Sequence, residues 1–212
     1  MVKELDKGTE EAILSAAYRV IVRKGKAGTR MQEIADEAGV NKALLHYYFR
    51  SKDKLYLAVL GSVAESLLKS LLAELDLERP FRELVEGFVR EHIAAIRANQ
   101  ELFRFLLAEV WTNRDEVLPV FRDLLAASRG NLPGLFFARL QQATDAGEIR
   151  PVDPFHFLMN MISLDVFYFV ASPLFFGVVD VDEAEQRKKT DERADQVVDF
   201  IWESIRPREG RG

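Results

Sequence analysis

The chain of 212 residues has no cysteine. Without thiols it has neither a disulfide framework nor a thiolate metal site, and a reducing compartment, the cytoplasm, is the expected setting. Histidine is nearly as scarce. His46, His92 and His156 stand far apart and form no H-x-x-x-H or H-E-x-x-H pair, and there is no glycine-rich phosphate loop or nucleophile elbow. An enzyme is therefore not expected, and neither is a metal or cofactor. The opening MVKELDKGTEEAI has no apolar stretch of the kind a secretory signal needs. No segment alternates with the two-residue period of a strand, whereas nearly every one repeats at about 3.6, so the expected fold class is all-α.

Positive charge is also in short supply, with 29 Lys and Arg against 34 Asp and Glu. It is unevenly spread. Residues 1–55 hold 11 basic against 8 acidic side chains, a balance of +3, which leaves 18 against 26, or −8, for residues 56–212. A cationic head on an acidic body directs a polyanion to one end of the chain. The one long apolar run, residues 155–179, has about the 20 residues that span a bilayer. Asp165 in its middle, His156 and Asn160 near its start and Pro173 within it favour a buried helix of a bundle, with no membrane partner.

Helical spacing places a first helix over about Glu10 to Lys24, closed by Gly25. A long fourth helix is capped by Ser51, and its Leu55, Val59, Val63, Leu67, Leu71 and Leu75 step by fours toward Pro80. Further helices follow over residues 81–96 and 103–111. Pro119, Gly130, Pro133 and Gly134 divide the next stretch into two, the second ending near Gly147. Asp153 caps and Pro154 opens a helix to about Ser172. An irregular acidic segment then covers 173–189, and a last apolar stripe runs from Ala194 to Ile205.

The densest information lies in residues 29–55, TRMQEIADEAGVNKALLHYYFRSKDKL. Thr29 with Gln32 three positions later predicts a capping box, so the second helix should start at Arg30. Met31, Ile34, Ala35 and Ala38 form its inward face, and Gly39 can take the left-handed conformation that ends it. Asn41 is a good cap for a third helix anchored by Val40, Leu45 and Phe49. What is left outside is Lys42, Ala43, Leu44, His46, Tyr47 and Tyr48, a cationic and aromatic surface that suits a DNA reader.

This segment resembles the DNA-binding domain of the TetR family of bacterial transcriptional regulators, through EIADEAGV at 33–40, the aromatics before Phe49 and FRSKDKL at 49–55. Ala43 and Leu44 stand where the family often has Gly-Thr, so the operator sequence is not given by the likeness. The resemblance implies a three-helix DNA-binding head, residues 1–50, joined by a long helix to a ligand-binding and dimerisation body, residues 51–212, with about nine to ten helices in all. It implies a homodimer on a palindromic operator in double-stranded DNA, released when a small hydrophobic ligand enters the body and spreads the heads.

Lys42, Ala43, Leu44, His46 and Tyr47 are then expected at base edges or phosphates, with Thr29, Tyr48 and Lys52 as phosphate clamps. Phe88, His92, Phe103, Trp111, Phe137, Met161, Asp165 and Tyr168 are candidates for a ligand cavity. In the resemblance the last two helices make the dimer interface, and Val198, Ile201, Trp202 and Ile205 are its candidate contacts. An architectural DNA-binding protein without a small effector, and a helical interaction module that does not bind DNA, are the alternatives.

Overall fold

The computed structural model describes residues 2–72, 76–127 and 132–207, with residues 2–7 and 70–72 as backbone only. Leu71, Leu75 and Gly130 fall outside the described side chains. Among the described residues there are eleven helices and no strand: α1 (Val2–Gly28), α2 (Met31–Glu37), α3 (Lys42–Tyr48), α4 (Lys52–Leu72), α5 (Phe81–Ala98), α6 (Gln100–Thr112), α7 (Arg114–Ala127), α8 (Leu132–Asp145), α9 (Pro154–Val178), α10 (Glu183–Asp191) and α11 (Arg193–Ile205). The class is all-α as expected, with one or two more helices.

The extra helix is α10, in the segment expected to be irregular. It buries no residue and so has no apolar stripe to announce it. It is held at its ends instead. Asp182 accepts a hydrogen bond from the Glu185 amide at 2.9 Å, acidic residues fill the first turn, and Lys188 and Lys189 stand in the last, each complementing the helix dipole. α9 also outruns its expected end, passing through Pro173 to Val178.

The helices fall into two compact units, residues 1–67 with 100–127, and residues 68–99 with 128–212. This division differs from a boundary at residue 50. Phe105 and Leu106 of α6 and Val117 of α7 share one core with Ile13, Ala17 and Ile21 of α1, Ile34 of α2, Leu45 of α3 and Tyr56 of α4. Those two helices therefore pack within the first unit. The second core joins Phe81, Val85 and Ile93 of α5, Phe136 and Leu140 of α8, Phe157 and Met161 of α9, and Val197, Val198, Ile201 and Ile205 of α11. Phe136 and Phe157 stack there with centroids 6.2 Å apart and planes 4° from parallel.

α9 departs from its expected burial. Only 11% of its most apolar window is buried inside the chain, the inward residues being Phe157, Met161 and Asp165. Phe155, Met159, Phe167, Val170, Leu174 and Val178 form an exposed apolar stripe at steps of three, four or eight residues. The helix is apolar on nearly all sides, so its sequence could not say which side faces in.

Candidate nucleic-acid interface

The reader is assembled by a tight corner. At the end of α2 the Val40 amide donates to Ala35 O at 3.0 Å and the Gly39 amide to Asp36 O at 3.2 Å, the paired bonds of a Schellman motif. Gly39 sits at φ 67°, which a side chain would disfavour. Ala35, fully buried, is small where the chain turns back. α3 then starts from Asn41, whose side chain accepts from the Leu44 amide at 2.8 Å.

Leu45, 0% exposed, and Phe49, 7% exposed, pin α3 to the core one turn apart. Burying one such side chain stabilises by roughly 1.5–3 kcal/mol. Lys42, Ala43, His46 and Tyr47 are consequently exposed, while Leu44 and Tyr48 are half-buried. Tyr47 is 74% exposed and stands edge-on to Tyr48, ring centroids 5.3 Å apart. An exposed face with a cation, a histidine and an aromatic hydroxyl, on a helix held from behind, has the donors and apolar surface needed at base edges and phosphates.

Two of the expected clamps have another role here. Thr29 is 2% exposed and its hydroxyl donates to Gly25 O at 2.8 Å, so it does not cap α2. The cap position is Arg30, whose amide donates to Glu33 at 3.4 Å. Lys52 Nζ donates to Lys26 O at 3.0 Å and Thr29 O at 3.3 Å, tying the end of α1 to the start of α4. An ammonium among carbonyls at a helix C-terminus is a favourable dipole contact, and it leaves one N–H for anything outside.

Behind the reader lies a polar network that sequence reasoning missed, because its members are up to 90 positions apart. Lys26 reaches both carboxylate oxygens of Glu116, at 2.5 and 2.6 Å, and Asp53 at 3.2 Å, and lies 4.6 Å from the centroid of the Tyr56 ring. Partial burial works against its charge, but the hydrogen bonds to Glu116 and Asp53 prevail and hold its pKa above the usual lysine value. The Tyr56 hydroxyl donates to buried Glu109, which also accepts from Asn113 at 2.5 Å. Burial, then the Glu109 contact, push the Tyr56 phenol well above its ordinary range. These bonds bind α6 and α7 to α1 and α4.

The ligand candidates do not form one group. Phe88, His92, Phe137, Met161, Asp165 and Tyr168 belong to the second unit, whereas Phe103 packs on the first core. Trp111 is 87% exposed on α6, in the first unit. Within the second unit His92 Nδ1 lies 2.8 Å from Asp165 Oδ2, both groups buried. Burial raises the Asp165 pKa above the ordinary carboxylate value against the opposing bond to His92. An open groove of about 1070 Å³ runs between α9 and α11.

The candidate dimer contacts need revising as well. Val198, Ile201 and Ile205 are at most 4% exposed and fill their own unit's core. Trp202 is half-buried, donating to Glu86 at 3.2 Å beneath the Arg82 guanidinium. The large apolar residue that α11 exposes is Phe200, 63% exposed.

The fold and the α3 face define a helix-turn-helix DNA-binding protein. Residues 13–59 match the bacterial regulatory proteins of the tetR family. Over 201 residues the chain is 29% identical to the HTH-type transcriptional regulator RutR of Escherichia coli (strain K12), covering 94% of this chain and 91% of that one. It is 34% identical over 143 residues to the HTH-type transcriptional repressor NicS of Pseudomonas putida, covering 60% and 66% respectively. Residues 13–59 thus carry a tetR-family DNA-binding domain, and over nearly its whole length the chain is similar to transcriptional regulators, not to enzymes.

Solved structures agree on the fold. AibR, crystallised with isovaleryl coenzyme A and operator DNA, matches with a TM-score of 0.66 at 20% identity, covering 91% of this chain and 97% of that one. A HlyIIR mutant matches with a TM-score of 0.63 at 21% identity, covering 91% and 96%.

Proposed function

We propose that this regulator is a cytoplasmic repressor that binds a palindromic operator as a homodimer and leaves it when a small, largely apolar effector binds the second unit. The observation that carries the reading is the outward face of α3, where Lys42, Ala43, His46 and Tyr47 are bare while Leu45 and Phe49 anchor the helix from behind. One such helix in a major groove reads few base pairs. A two-fold pair doubles the site and sets half-sites about 34 Å apart or a multiple of that.

The exposed stripe of α9 supports a second copy as the partner. Its spacing suits helix-to-helix packing, Phe200 of α11 adds to it, and Ser163, exposed between Met159 and Phe167, lets a facing helix approach. A bilayer fits less well, since the same helix carries Asp165 at its centre and forms part of the second core. An effector works only by its different affinity for operator-bound and released forms. The chain crosses between the two units at residues 67–68, 99–100 and 127–128.

The test is selection of bound fragments from genomic DNA with the full-length protein, followed by affinity measurements over a range of salt. Enrichment of a palindrome, with affinity falling steeply as salt rises, is the expected result. A protein that remains monomeric and enriches no sequence refutes the proposal. NicS being a repressor, and AibR binding an acyl coenzyme A with its operator, are the precedents for repression and for an effector.

A further inference from the structure

The outward face of α3 is short of one kind of group. Its exposed side chains are Lys42, Ala43, His46 and Tyr47, and its sequence KALLHYY holds no carboxylate and no carboxamide. The groups of those two kinds that stand nearby are already engaged. Asn41 Oδ1 accepts from the Leu44 amide at 2.8 Å, and Gln32 Nε2 donates to Asp36 Oδ1 at 2.8 Å. Glu33 is paired with Lys24 at 2.8 Å, Glu37 with Arg19 at 2.7 Å and Asp53 with Lys26 at 3.2 Å.

Each base pair shows its own pattern of donors and acceptors in the major groove, so what a reader lacks narrows what it selects. Adenine is read by a free carboxamide, which accepts from N6 and donates to N7, and cytosine by a carboxylate that accepts from N4. α3 offers neither. Guanine N7 and O6 are both acceptors, and the Lys42 ammonium, with three donors and no acceptor, suits them. His46 keeps one ring N–H in either neutral tautomer, which suits the same edge. The Ala43 methyl group matches the C5 methyl of thymine. Tyr47 carries a hydroxyl that both donates and accepts, so it favours no base.

Spacing orders these contacts. Lys42 and Ala43 are adjacent in the chain, whereas Lys42 and His46 are one turn apart. Four residues of helix rise about 6 Å, which is roughly two base-pair steps of about 3.4 Å for a helix lying along the groove. We propose that α3 selects its half-site through base acceptors: a guanine opposite Lys42, a thymine at a neighbouring pair opposite Ala43, and a second guanine about two steps from the first opposite His46. This rests on the palindromic-operator reading above and names the base edges that its reader takes.

The test titrates the full-length protein against its genomically selected duplex, with one base at a time replaced by an analogue that still pairs. 7-Deazaguanine lacks the N7 acceptor, and uracil lacks the thymine methyl. In each half-site 7-deazaguanine at two positions should weaken wild-type binding at least about fivefold, and uracil beside the first of them at least about twofold. Lys42→Ala should lose the dependence on the first guanine and keep the second, and His46→Ala should do the opposite. Both side chains are exposed, so neither variant is expected to unfold the head. Half-sites without guanine, 7-deazaguanine or uracil tolerated at every position, or a dependence on either guanine that survives removal of its side chain overturns the proposal and leaves operator binding standing. Enrichment of no palindrome overturns that reading as well.

Discussion

The corner before α3 allows the local account to be separated from general stability. Gly39 and Gly147 close α2 and α8 with the same motif. Each has positive φ, 67° and 74°, and a Cβ at either position would have nothing within 4 Å. The Glu148 amide donates to Ala143 O at 2.9 Å and the Gly147 amide to Thr144 O at 3.0 Å, matching the bonds around Gly39. Gly→Ala at either site therefore meets no steric obstacle, and its cost is the left-handed backbone alone, about 1–2 kcal/mol. At about 2–4 °C per kcal/mol for a chain of this size, both variants should melt roughly 2–8 °C below wild type in a calorimetric scan.

Their effects on DNA should diverge. Strain at Gly39 is relieved by shifting α3, so operator affinity should fall by about fivefold, the equivalent of about 1 kcal/mol, whereas Gly147→Ala should bind as wild type does. Equal losses of affinity in both variants, or Gly39→Ala melting unchanged, would refute the reasoning.

Other perturbations read different parts of the structure. Lys42→Ala and Tyr47→Ala should leave melting within about 0.5 kcal/mol of wild type, as exposed side chains do, yet weaken operator binding by about 1–3 kcal/mol in a titration of labelled duplex. Lys52→Met should do the reverse in order of size, lowering the melting temperature because Lys26 O and Thr29 O lose their donor, and reducing the salt slope by at most about one. Phe200→Asp should give folded monomers in sedimentation; a dimer of unchanged strength would move the interface away from α11. Burial holds the Asp165 carboxyl above its usual 3.8, so the native state binds that proton more tightly than the unfolded chain. The stability it contributes is complete below that pH and is lost as pH rises through the native value. Asp165→Asn should therefore melt progressively higher relative to wild type as pH increases from about 4, and a difference independent of pH would show that the shift is absent.

What the sequence made legible was local. Gly39, Asn41 and Ser51 each act within four residues, through φ, an amide cap and a first turn, and the structure places them as the spacing implies. The bonds of Thr29 and Lys52 to Gly25 O and Lys26 O are not legible in the same way, because those partners are backbone atoms that composition cannot display. The stripe Val198, Ile201 and Ile205 was visible, but a stripe does not say whose core it enters, and α11 spends it on its own unit. The Lys26, Glu116, Tyr56 and Glu109 network and the buried pair of His92 and Asp165 depend on contacts between distant helices.

The central claim is that α3 is a DNA reader held outward by its buried anchors. The affinity of the full-length protein for its genomically selected duplex, followed against salt for wild type, Lys42→Ala and Tyr47→Ala, tests it most directly. The account predicts a steep fall with salt and a loss of at least about fivefold in each variant, the equivalent of about 1 kcal/mol, with melting within about 0.5 kcal/mol of wild type. A flat response to salt, or variants that bind as wild type does, would contradict it.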